Sequence, residues 1–275
     1  MKLLVGYDLA YEFPQATPVI MTLNVHSSRV ADIERGDEMV FEPFVPSHAY
    51  HDTFGNYCRR IVAPPGLLRI TNSAIVRDTG EPDPVVADAV QHRVEDLPDE
   101  TLLFLLGSRY CETDRLSDIA WKLFGGTPLG WARVQAICDY VFERIEFGYE
   151  HARPTKTALD AYEERRGVCR DFAHLAVAFC RCMNIPARYC TGYLSDIGAP
   201  PPYTPMDFAG WFEAYLGGAW HTFDPRNNRP RIGRVLIARG RDAADVPMTN
   251  TFGPNTLVGF SVVTEEAPVD AREAS

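Results

Sequence analysis

The stretch Arg166-Gly167-Val168-Cys169-Arg170-Asp171-Phe172-Ala173-His174-Leu175-Ala176-Val177-Ala178-Phe179-Cys180 decides how this chain is read. From Val168 onward it is a largely apolar run of helical length, stopped by Asn184 and Pro186, and it reads as a buried central helix. The segment before it, Thr157 to Arg166, reads as a shorter helix closed by Gly167, where a left-handed C-cap is expected. Cys169 then stands at the start of the central helix. The unpaired N–H groups of a helix start carry partial positive charge and favour a thiolate, the reactive form of cysteine. The same groups can face the oxyanion that forms when sulfur attacks a carbonyl. Cys169 is therefore the candidate nucleophile, weighed against the plain alternative of a small buried hydrophobe.

Outward from that helix, the pattern on its C-terminal side turns to strands. Ala187 to Leu194, Trp211 to Leu216 and Ala219 to Phe223 are predicted strands, the last two joined by Gly217-Gly218 as a two-residue hairpin. On the N-terminal side, Thr127-Pro128 offers an N-cap followed by proline, and Trp131, Val134, Cys138, Val141, Phe142 and Ile145 recur at helical spacing. Arg77 to Asp99, with Gly80, Pro82 and Pro84, lacks periodicity and reads as a linker. From Lys2 to Asp78 short β-rich runs alternate with turn residues: Leu3–Tyr7, Tyr11–Phe13, Val19–Val25, Met39–Phe44, Tyr57–Val62 and Leu67–Val76, with a hairpin turn at Phe54-Gly55-Asn56. The fold class expected is α+β: an N-terminal antiparallel β-sandwich, residues 1–95, then a core with a central helix on an antiparallel sheet, residues 96–264, then an acidic tail, residues 265–275.

Several ordered motifs resemble the core of the transglutaminase-like superfamily, a papain-like cysteine peptidase and acyltransferase fold. They are Thr157-Ala158, Arg166 to Leu175 around Cys169, Asn184-Ile185-Pro186-Ala187-Arg188-Tyr189, Gly192-Tyr193, Trp211-Phe212-Glu213-Ala214-Tyr215 and Trp220-His221-Thr222-Phe223-Asp224-Pro225. The β-rich start is similar to the N-terminal domain of its bacterial members. The resemblance implies a Cys-His-Asp triad in which Cys169 forms an acyl-enzyme on a peptide or glutamine amide and Asp224 orients the imidazole. It also implies a peptide or protein substrate and no metal or organic cofactor. At one position the sequence departs from the pattern: the base is expected two residues before Trp211, and that position is Ala209. A methyl group can neither accept the thiol proton nor protonate a leaving amine, and losing a positioned acid–base group costs about 10²–10⁴-fold.

Three other histidines are weighed as substitutes. His221 is three residues from Asp224 on one strand, about 10 Å along it and on the opposite face. His174 is five residues after Cys169, roughly 140° around the helix, and should point away. His151 lies in a loop that could approach the cleft through folding. His151 and His221 are kept as possible replacement bases, and Trp211 is read as a cleft wall or core aromatic. Three functions follow: a thiol-dependent amide hydrolase or acyltransferase, which leads; a binding module that keeps the cleft without turnover; and a scaffold whose cysteine is incidental.

Composition narrows the field. The 275 residues are 46% apolar, enough for a sizeable core, and the net charge of −10 argues against partners bound through phosphates, so nucleic acid and anionic membrane are not expected. The first residues meet Asp8 before an apolar run of signal-peptide length, and the seven cysteines are an odd number mostly inside apolar runs, so a reducing cytoplasm is the expected compartment. Cys180 and Cys182 lack a second ligand pair at zinc spacing, and no Asp-rich calcium loop is recognisable. The oligomeric state leaves no mark in the sequence.

Overall fold

The computed structural model of the protein describes residues 1–201, 203 and 206–268. Its N-terminal part is built on β1 (Lys2–Phe13), β2 (Thr17–Met21), β3 (Ile33–Gly36), β4 (Val40–Glu42), β5 (His48–His51), β6 (Tyr57–Ala63) and β7 (Gly66–Arg77). In β1 the buried residues Leu3, Val5, Tyr7, Leu9, Tyr11 and Phe13 alternate along the strand, and Leu68, Ile70, Ala74 and Val76 do so in β7. Period-two alternation gives each strand one apolar face. Those faces meet Val19, Met21 and Ile61 of the second sheet in one core, so the expected sandwich is present. The Phe54-Gly55-Asn56 turn joins β5 to β6, with Gly55 at φ +80°.

The central part contains α1 (Asp99–Leu102), α2 (Thr113–Phe124), α3 (Trp131–Arg144), β8 (Glu146–Phe147), α4 (Ala158–Glu164), β9 (Arg166–Gly167) and α5 (Cys169–Cys182). The strands β10 (Ala187–Leu194), β11 (Ala209–Leu216), β12 (Ala219–Phe223) and β13 (Arg234–Gly240) follow and form a sheet in the order β12-β11-β10-β13. Helix α5 is buried from Asp171 to Cys182, as a helix apolar on all sides must be. It packs against α2, α3, α4 and the β11 face of this sheet in one cluster. Tyr189, Tyr193, Val235 and Ile237 of β10 and β13 instead join the sandwich core. The four-stranded sheet is thus sandwiched between the helices and the N-terminal strands. No helix among the described residues is long and apolar enough to cross a membrane.

Two local expectations are corrected. Helix α3 starts at Trp131 behind Gly130 (φ +82°); Thr127 instead donates its hydroxyl to the Phe124 carbonyl, closing the turn after α2. Helix α4 ends on Arg165 in the left-handed region (φ 57°), so Gly167 is free to pair with β8. Its start is as read: Thr157 caps the Asp160 N–H, and Asp160 reciprocates on Thr157.

The division of the chain also needs correction. The strands β14 (Thr249–Thr251) and β15 (Thr256–Glu266) return to the N-terminal part, where β14 pairs with β2 and β15 pairs antiparallel with β1 along its length. A segment assigned by the sequence to the core therefore completes the sandwich. Glu265 and Glu266, read as tail, are the last residues of β15, opposite Leu4 and Leu3. Residues 269–275 of the expected tail lie outside the described residues.

Candidate active site

Cys169 is the first residue of α5, at the bottom of a small cavity of about 100 Å³. The local sequence fixes it there. Asp171 accepts the Val168 N–H at 2.9 Å from inside the first turn, and Arg170 reaches back to Asp171 at 3.3 Å and to the Arg153 carbonyl at 2.5 Å. Asp171 satisfies one of the unpaired donors of the helix start. The cavity is walled by Phe147, Tyr149, Asp207, Ala209, Gly210 and Arg226, among others.

The thiol is half-buried, with the main-chain N–H groups of Gly210 and Arg170 close enough to favour its ionised form. Burial nevertheless dominates: it pushes the thiol up to about 11, helped by the negative charges of Asp207 and Asp224 and opposed by the two N–H donors. The helix-terminus reading, which foresaw a lowered value, is overturned. A terminus supplies roughly 0.3–1 kcal/mol, whereas desolvation can move a buried group by several pH units. At neutral pH the thiol is therefore protonated. Gly210 has its own constraint, since a Cβ there would stand 2.7 Å from the Tyr189 hydroxyl.

None of the seven histidines lines the cavity. His221 stacks edge-on to Trp131 and bonds the Leu216 carbonyl at 3.1 Å, and His151 stands 3.6 Å from Glu150. His174 is wholly buried between the Tyr110 and Tyr189 rings, its Nε2 accepting the Ala243 N–H; burial holds its pKa well below the ordinary value, so it is neutral. The expectation that it points away from the thiol agrees with this placement.

Asp224, just beyond β12, has partners other than an imidazole. Its carboxylate accepts the Asn227 N–H (3.0 Å), the Asn227 side-chain amide (2.8 Å) and Arg234 Nη2 (3.0 Å). Arg234 also binds Asp83 at 2.9 Å and lies 4.6 Å over the Trp211 ring. Trp211 is 1% exposed and packs with Cys190 and Leu236; of the two readings offered for it, the core aromatic is the one realised, and it forms no part of the cavity wall.

The sequence reading missed the charged groups that share the cavity with the sulfur. Asp207 lines the cavity, its carboxylate accepting only the neighbouring Phe208 N–H at 2.7 Å among the described residues, and burial raises its pKa. Arg226 stacks on Phe147 at 4.3 Å and bonds Asn227, and Arg231 bonds Asn227 and Asp196. One of them, Arg226, directly follows Asp224-Pro225, but nothing local states which way it points. No cluster of metal-ligating side chains occurs among the described residues.

A model of the transglutaminase-like superfamily matches residues 120–225. The solved structure of a protein from Cytophaga hutchinsonii, described as a candidate cysteine protease, superposes with a TM-score of 0.83 at 30% identity, over 98% of this chain and 92% of that one. The chain belongs to the transglutaminase-like superfamily. An uncharacterized protein of Mycobacterium leprae is 35% identical over 114 residues, 40% of each chain, and one of Mycobacterium tuberculosis is 34% identical over 120 residues. The matched region thus spans about 40% of the length of the M. leprae relative. The fold and kinship are those of a thiol-dependent hydrolase and acyltransferase family. Of the residues the resemblance singled out, Cys169 lines the cavity, Asp224 is not among its lining residues, and position 209, where a base is expected, carries Ala209.

Proposed function

We propose that the Cys169 cavity is a binding cleft for a peptide or glutamine amide that no longer turns its ligand over. The observation that carries this reading is a double loss: Ala209, on the cavity wall, supplies no imidazole, and Asp224, which would orient one, is held by Arg234 and Asn227 and does not line the cavity. A thiol pushed up to about 11 is a hydrogen-bonding group at neutral pH, and two inward N–H groups and a small cavity suit a carbonyl or carboxamide. The test is turnover of a γ-glutamyl amide and of peptide amides by the natural protein and by Cys169→Ala. Equal background rates from the two, with retained ligand binding, support the reading; turnover that Cys169→Ala abolishes ends it.

A second reading rests on Asp207. Its carboxylate shares the cavity with the thiol and has a raised pKa. It could take the thiol proton as sulfur attacks the amide carbon, then return that proton to the leaving amine as the C–N bond breaks. Water would cleave the thioester to release the acid and regenerate the thiol. Under this reading Asp207→Asn removes the turnover.

A further inference from the structure

We infer that the outer edge of β15 is a docking strand for an extended peptide, which pairs with it main chain to main chain and enters the Cys169 cavity from that side. The inference rests on the reading of that cavity as a peptide-binding cleft and names how its ligand is held.

The exposed edges of this fold are treated unequally. Strand β13 closes one end of the four-stranded sheet, and its outer edge is covered: the Leu236 carbonyl accepts the His26 N–H, and Asn56 both accepts the Arg239 N–H and donates to the Arg239 carbonyl, each at 2.9 Å. The edge strands β5 and β14 have four and three residues. Strand β15 has eleven, ends its sheet next to β1, and no described residue bonds its outer edge. From Thr256 to Thr264 it carries neither charge nor proline, the devices that normally blunt an edge. Leu257, Val258 and Phe260 are each about half exposed; one bulge, at Val258, interrupts the ladder, and from Gly259 to Glu266 the pairing with β1 is regular.

An antiparallel edge strand presents alternate residues with both N–H and C=O outward, a ladder that only an extended main chain satisfies in full. The absence of charge over nine residues specifies a ligand recognised by backbone and apolar side chains. Position links this edge to the thiol. A second cavity, about 340 Å³, is walled by Phe260, Ser261 and Val262 of β15 and by Tyr149, Met206 and Asp207, and the last three also wall the Cys169 cavity. Phe260 meets Phe208 edge-on at 6.1 Å, so the two walls are in contact. A strand added to β15 therefore runs past Tyr149 and Asp207 and can turn one side chain towards the sulfur.

The experiment uses a fluorescein-labelled, acetylated and amidated peptide of alternating valine and threonine, with a central glutamine and flanking serines, titrated by fluorescence polarisation. Two further peptides carry N-methyl groups on one or the other alternate set of amides. Pairing to β15 predicts that one set weakens binding about tenfold or more, as losing main-chain hydrogen bonds should, while the other set is tolerated. Val258→Lys should weaken the parent peptide in the same direction. Equal binding of both methylated peptides overturns the inference, as does no binding of the parent peptide. A chain that is dimeric and becomes monomeric with Val258→Lys also overturns it, because a second copy then takes the edge. Ala209→Leu, which fills the Cys169 cavity, separates the two claims. Binding sensitive to methylation but not to Ala209→Leu keeps the edge and removes the cleft reading; the reverse pattern keeps the cleft and removes the edge.

Discussion

The two walls of the cavity have been treated differently. The nucleophile wall, the start of α5 with Asp171 and the Gly210 N–H, keeps every feature that holds a sulfur at a helix terminus. The side where a base is expected puts a methyl group at position 209, and the Asp224 carboxylate, which does not line the cavity, is paired with a guanidinium instead. Position alone does not make a thiol reactive. Without an imidazolium paired to the sulfur, the desolvation that shapes a cavity raises the pKa that such a partner would have lowered.

The comparison is broken most forcefully from Arg234. It is buried between Asp83 and Asp224, so Arg234→Met leaves two carboxylates uncompensated and should cost about 3–5 kcal/mol of stability, measured by urea unfolding. A much smaller loss would mean that Arg234 does not hold Asp224 and Asp83 in place.

Restoring the missing group sharpens it next. Ala209→His should raise the rate of iodoacetamide alkylation at Cys169 about a hundredfold at neutral pH, through an ion pair with the thiolate. In the natural protein the rate should instead keep rising with pH until about pH 11. The sign for stability follows: the folded pKa is raised, so the neutral thiol's contribution is fully present below the unfolded value and is lost as pH rises through about 11. An alkylation rate that levels off near neutrality contradicts this account of the nucleophile wall.

A smaller effect is expected at Gly210. Gly210→Ala sets a methyl group 2.7 Å from the Tyr189 hydroxyl and should destabilise by about 1–3 kcal/mol, with Tyr189→Phe recovering part of the loss in a double-mutant cycle. The smallest effects belong to the histidines once weighed as substitutes: His151→Ala and His221→Ala should leave Cys169 alkylation unchanged, because neither lines the cavity.

Much of the architecture was legible because it is local. The Thr157 cap, the Gly217-Gly218 hairpin (φ +58° and +86°) and the stop at Asn184 (φ 61°) depend on backbone preferences of a few adjacent residues. The strands Ala187–Leu194 and Ala219–Phe223 stand where they were read. Strands β13 and β15 were not recognised: Arg234 to Gly240 is almost wholly buried and does not alternate, and Thr256 to Glu266 begins with exposed apolar residues. Their status depends on partners far away in the chain.

The sequence by itself determined that a cysteine begins a buried helix, that an aspartate ends a strand, and that no imidazole stands at position 209, since residue identity and short-range periodicity carry those facts. Only the tertiary structure decided what surrounds the sulfur: Asp207 beside it, Arg234 on Asp224, and the last strand laid along the first. The physical reason is distance along the chain. Desolvation and charge pairing depend on which remote groups come within a few ångströms, and no local pattern encodes that.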